Sequence, residues 1–62
     1  MEFTIPAMSC SHCVRAITDT LTAIDTKALV TIDLPSQHVM VQTTQTHAAV
    51  TAALVASGYP AA

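Results

Sequence analysis

The order in which this sequence changes its hydrophobic period constrains the fold more than any other feature. Residues 2–6 alternate polar and apolar, with Phe3 and Ile5 on one side, the period of a half-buried strand that Pro6 ends. From Ser11 onward the apolar positions Val14, Ile17, Leu21 and Ile24 recur at helical spacing, opposite a polar face of Arg15, Thr18, Asp19 and Thr22. A helix is predicted from about Ser11 to about Ala23. The run ALVTIDL, residues 28–34, sets Val30, Ile32 and Leu34 against Thr31 and Asp33 and reads as a strand. Pro35, Ser36 and Gln37 form a turn, and residues 38–43 alternate again, with Val39 and Val41 on one face and His38, Met40 and Gln42 on the other. Thr46 is a suitable N-cap for a second helix with Val50, Ala53, Leu54 and Ser57 as its inner stripe. Gly58 fits the left-handed residue that closes it, and Tyr59 to Ala62 is expected as a last, very short strand.

The predicted order is β-α-β-β-α-β, an α+β chain of the ferredoxin-like, split βαβ type: a four-stranded antiparallel sheet with two helices on one face. Residues 1–62 are expected to form a single domain. A chain this short buries only roughly 60% of its unfolded surface, and with Phe3 and Tyr59 as its only aromatics the core must be aliphatic. An enclosed catalytic pocket has little room, so no enzyme is expected. The net charge is -2, with only Arg15 and Lys27 as fixed cations against Glu2, Asp19, Asp25 and Asp33. No basic surface is available for phosphates, which argues against nucleic acid as a partner. The amino terminus shows no basic segment leading an apolar run, and no apolar stretch approaches the roughly 20 residues of a membrane span. A cytoplasmic protein with no direct membrane insertion is therefore expected.

The stretch MSCSHC, residues 8–13, holds both cysteines of the chain. On the predicted plan Cys10 lies in the loop after the first strand and Cys13 in the first helical turn. In a reducing compartment such a pair points to metal or redox chemistry before a structural staple, and a disulfide closing so short a loop restricts the unfolded chain little. Unpaired N–H groups and the dipole at a helix start favour the thiolate, which is the metal-binding form. Two soft thiolates without a third cysteine suit a soft ion that accepts two-coordination, Cu(I) ahead of others. Zinc usually takes four ligands and would have to recruit histidines.

The run IPAMSCSHC followed by an amphipathic helix resembles the M-x-C-x-x-C site of the heavy-metal-associated domain family, and the element order extends the likeness over nearly the whole chain. Within that family the chain is most similar to small bacterial copper chaperones. The resemblance implies Cys10 and Cys13 as metal ligands, Met8 as the apolar residue beneath the loop, and Tyr59, in ASGYPA, as a residue near the metal loop. It also implies handover of Cu(I) through shared sulfur ligation to the metal-binding domain of a copper-transporting P-type ATPase. A copper-responsive regulator is a second client, and a metal-bridged homodimer a further assembly. Ala7 stands where the family commonly has glycine, and the chain stops at Ala62, sooner than most relatives.

Other readings compete at single residues. Met8 could serve as a thioether ligand, though an apolar plug is preferred. His12 is expected to be exposed and non-ligating. His38 and Met40 are expected on the open sheet face and His47 in solvent at the second helix, while Tyr59 either tunes the metal loop or only packs. Arg15 could offset charge near the thiolates or simply lie in solvent. Alternatives for the whole chain are a mercury-binding or other soft-metal protein of the same family and a thiol-disulfide redox protein, which would also exploit an acidified thiol.

Overall fold

Alternation of β-branched and polar residues produces two strands joined by a tight turn, and the computed structural model, which describes residues 1–62, sets a third against them. The elements are β1 (Glu2–Thr4), α1 (Ser11–Ile24), β2 (Leu29–Asp33), β3 (His38–Gln42) and α2 (His47–Ala56). All pairings are antiparallel in the order β1-β3-β2, with β3 in the middle. The register sets Phe3 and Ile32 beside Val39, and Val30 beside Val41. Since side chains alternate across a sheet, these residues share the inner face, and Glu2, Thr31, Asp33, His38 and Met40 share the outer one.

Both helices pack on the inner face. Helix α1 buries Cys13, Ile17 and Leu21, spaced one turn apart, while Val14 and Ile24 of the expected stripe flank them half-buried. Helix α2 buries Val50 and Leu54. Ser57, expected on that stripe, is instead exposed: it caps the helix, and its hydroxyl donates to the Leu54 carbonyl at 2.9 Å. Thr46 begins α2 as expected, accepting the Ala49 N–H at 3.1 Å. At the other end Gly58 turns the chain with φ +89°, open space surrounding its missing Cβ, and Tyr59 N–H reaches back to the Leu54 carbonyl at 2.9 Å.

The fourth strand expected over Tyr59–Ala62 is not formed, and the sheet has three strands. The tail does reach β1, where Ala62 N–H donates to the Thr4 carbonyl at 2.8 Å. One rung does not make a ladder, and Pro60 has no N–H to add another. Strand β1 also ends earlier than its alternation implies, because Ile5 pairs with a turn residue: its N–H donates to the carbonyl of Gln37, whose φ is 59°. Pro6 then supplies no donor.

A polar latch fastens the end of α1 to the end of β3. The Asp25 carboxylate accepts Thr43 Oγ1 at 2.6 Å and the N–H groups of Lys27 and Thr44 at 3.0 and 3.4 Å. The Thr43 hydroxyl above all, then the Lys27 N–H, hold the Asp25 pKa below its usual value. A carboxylate acidified by folding stabilises the native state above its unfolded pKa of about 3.9, and the contribution fades as pH falls through the lower folded value. Asp25→Ala is expected to lower the thermal midpoint at neutral pH and to shrink the gap from the wild type in acid; equal midpoint differences at pH 7 and pH 2.5 would contradict the latch.

Candidate metal centre

The chain leaves β1 through a loop whose amide and side chain are both tied down. Met8 N–H donates to the Ile5 carbonyl at 3.1 Å, and the Met8 side chain is 0% exposed within the core. Ala7 and Ser9 on either side of it are exposed. Cys10 then serves as N-cap of α1 in an extended conformation, and its carbonyl accepts the N–H groups of Cys13 at 3.0 Å and Val14 at 3.2 Å. The Cys10 side chain makes no capping hydrogen bond, so the helix starts on backbone alone and the sulfur takes no part in the cap.

The two cysteines predicted as ligands come together with unequal surroundings. Their sulfurs are 3.5 Å apart, both as free thiols, well beyond the roughly 2.05 Å of a disulfide. Cys10 is exposed and Cys13 is buried at the rim of the core. The Cys13 pKa is lowered to about 6, chiefly by the Ser9 backbone N–H, then by the Tyr59 hydroxyl and the Cys10 thiol, against an opposing burial cost. In return, the Cys13 side chain above all, and burial after it, make the Tyr59 hydroxyl harder to ionise.

Tyr59 follows the turn that closes α2. Its half-buried ring packs against the core while its hydroxyl faces Cys13, an arrangement set by the left-handed turn at Gly58. His12 is exposed, and no group of three or more His, Cys, Asp or Glu residues that could hold an ion forms anywhere in the chain. Arg15 forms an exposed pair with Asp19 at 3.9 Å, a contact of little energetic weight. His38 Nε2 lies 3.7 Å from the Glu2 carboxylate on the outer sheet face, beside exposed Met40. His47, expected simply in solvent, is exposed but stacks on Phe3 with ring centroids 5.0 Å apart.

Chemically the site offers two soft sulfur donors, one of them ionised near neutrality. Two sulfurs on opposite sides of an ion must stand twice the metal–sulfur distance apart, about 4.6 Å if that distance is the roughly 2.3 Å of a zinc–thiolate bond. Linear ligation thus requires the pair to open by roughly 1 Å, a movement available to exposed Cys10 more readily than to packed Cys13. Sequence inspection missed the roles of the Ser9 N–H and of Gln37, whose side-chain amide donates to the Pro6 and Met8 carbonyls at 2.9 and 3.1 Å. Neither carries a local signal, since one is backbone and the other acts from the far side of the sequence.

An antiparallel sheet under two helices, with a CxxC pair at the start of the first helix, defines a small soft-metal-binding domain of ferredoxin-like type. Residues 2–60 match the heavy-metal-associated domain, and the chain belongs to that family. Its structure is similar to the crystal structure of a gold binding protein, with TM-score 0.96 and 31% identity over 98% of this chain and 94% of that one. It is also similar to the copper chaperone Atx1 from Synechocystis PCC6803 in a trimeric form, with TM-score 0.97 and 26% identity over 100% of this chain and 98% of the other. A third likeness is to Atu1203 of Agrobacterium tumefaciens, with TM-score 0.88 and 27% identity over 97% and 94% of the two chains. Among curated proteins no sequence matches significantly.

Two outcomes test this geometry. Thiolate absorbance of the reduced, metal-free protein should rise in a first step near pH 6, and Tyr59→Phe should move that step upward. Because folding lowers the Cys13 pKa, its stabilising contribution is present above the unfolded value of about 8.5 and is lost as pH falls through the folded value; a first step at 8.5 in both proteins would contradict the arrangement. Met8→Ala should cost about 3 kcal/mol, much of the stability a domain this small commands. Met8→Leu should stay folded and retain metal uptake, whereas loss of uptake in that variant would make the thioether a ligand.

Proposed function

We propose that the protein is a cytoplasmic, non-enzymatic copper chaperone that carries Cu(I) between Cys10 and Cys13. The observation that carries this reading is the pair itself: two free thiols 3.5 Å apart, one buried and acidified, one exposed, with no third metal-binding residue grouped with them. Two thiolates satisfy a soft ion that accepts low coordination, whereas a closed zinc site asks for four ligands. Similarity to the copper chaperone Atx1 from Synechocystis PCC6803 supports the same reading. No helix is long and apolar enough to cross a membrane.

Low coordination also supplies the mechanism of release. A thiolate of the acceptor adds to the two-coordinate ion, giving a three-sulfur intermediate, and Cys10 is the first to leave because its side chain is exposed. A second acceptor thiolate then displaces Cys13. The ion never enters water, and no electron is transferred. The acceptor is the CxxC-bearing metal-binding domain of a copper-transporting P-type ATPase, with a copper-responsive regulator as a second client. Two copies facing each other across one ion would form the metal-bridged homodimer by the same ligation, and residues 1–62 act as one metal-carrying domain.

A second reading, transport of another soft ion such as Au(I), Ag(I) or Hg(II), is favoured by the likeness to a gold binding protein at 31% identity. The decisive experiment is an anaerobic titration of the reduced protein with Cu(I) against a competing chelator, repeated with Cys10→Ser, Cys13→Ser and the other soft ions. Tight uptake of one Cu(I), resistant to excess Zn(II) and lost in both variants, is expected. Cysteine-independent uptake would refute the site, and tighter retention of another soft ion would shift the cargo. Failure to hold any soft ion, with ready cycling of the thiol pair against a disulfide substrate, would favour the redox alternative.

A further inference from the structure

Gln37 is the one residue other than glycine whose backbone sits in the left-handed region, with φ 59°. Glycine adopts that conformation without steric cost and asparagine tolerates it, whereas an ordinary side chain is disfavoured there. A strained position that nevertheless carries a long side chain invites the question of what the side chain does. The hairpin turn does not need it. Gln37 N–H closes that turn on the Leu34 carbonyl at 3.1 Å, and Ser36 Oγ donates to the Asp33 carboxylate at 2.6 Å, both without the glutamine amide.

The amide is committed instead to the loop that precedes Cys10. Gln37 Nε2 donates to the Pro6 carbonyl at 2.9 Å and to the Met8 carbonyl at 3.1 Å, while the Gln37 backbone carbonyl accepts Ile5 N–H at 2.9 Å. One turn residue thereby holds three residues of the loop. In a trans peptide the C=O and N–H point in opposite directions. Drawing the Met8 carbonyl toward Gln37 therefore turns the Ser9 N–H to the opposite side of that peptide.

We propose that Gln37 is a positioning residue for the metal loop: its side-chain amide clamps the Pro6 and Met8 carbonyls and so fixes the Met8–Ser9 peptide that leads into Cys10. The clamp explains why glutamine occupies a backbone position better suited to glycine. It acts on the ligands through the loop and does not touch the ion. This role rests on the reading of Cys10 and Cys13 as the metal site.

The test uses Gln37→Gly, which relieves the left-handed strain while removing the clamp, and Gln37→Glu, which keeps the shape but sets a carboxylate against two carbonyl oxygens. In the reduced, metal-free protein, hydrogen exchange at the Met8 amide, measured relative to the Ile17 amide in α1, should become about tenfold faster in both variants, the effect expected for losing a pair of hydrogen bonds. Gln37→Lys, which restores donors, should recover the Met8 protection, and the lifetime of bound Cu(I) against an external chelator should shorten in the Gly and Glu variants alone. Unchanged Met8 exchange in both variants would overturn the proposal and leave Gln37 as a turn residue only. A wild type unable to hold Cu(I) would sink the copper reading, while the metal-free exchange measurement would still decide whether Gln37 fixes the loop.

Discussion

The metal loop hangs from the core by the side chain of Met8, which is fully buried although the residues on either side of it are exposed. The magnitudes show why that anchor needs help. Burying a methionine contributes about 1.5–3 kcal/mol, whereas fixing the backbone of each loop residue costs about 1–2 kcal/mol. Four further residues, Pro6, Ala7, Ser9 and Cys10, must be held in a segment without regular structure. Met8 alone therefore cannot order the loop. The balance comes from polar tethers at both ends: Ile5 and the Pro6 and Met8 carbonyls on Gln37, and the Cys10 carbonyl on the first turn of α1.

From this suspension follows the inequality of the two thiols. Cys13 belongs to the helix and points with Ile17 and Leu21 into the core, so its position is set by α1 as a rigid body. Cys10 ends the loop, and its sulfur is exposed and unbonded to any cap. Under the proposed function, a carrier that must retain an ion and also surrender it would benefit from such a division, one sulfur holding while the other swings toward an acceptor. A fully enclosed pair would bind firmly and exchange slowly, and two exposed cysteines would pay the whole ordering entropy at the moment of binding.

How much of this was legible in the sequence depended on how local each cause is. The stripes of α1 and α2, the β2–β3 hairpin, the cap at Thr46 and the turn at Gly58 all arise from neighbouring residues, and each could be read from spacing. The CxxC pair was readable for the same reason. The fourth strand was not, because alternation in a four-residue tail containing Pro60 says nothing about how many ladder bonds it can make. Ser57 was misplaced on the inner stripe because helical spacing continues past the residue where the helix stops, whereas its hydroxyl finds the Leu54 carbonyl. The Asp25 latch and the Gln37 tethers join residues far apart in the chain; only the fold brings them together.

The incomplete strand still matters to the site, because it fixes Tyr59 from both directions. On one side Gly58 reverses the chain out of α2 and Tyr59 N–H returns to the Leu54 carbonyl; on the other, Ala62 is held against Thr4. Between these points the tyrosine hydroxyl faces Cys13 and favours its thiolate. The coupling is reciprocal by thermodynamic necessity: a tail that stabilises the thiolate is itself drawn in when the thiol ionises. The tail is tied to the sheet by a single rung, so it can respond where a full fourth strand would resist.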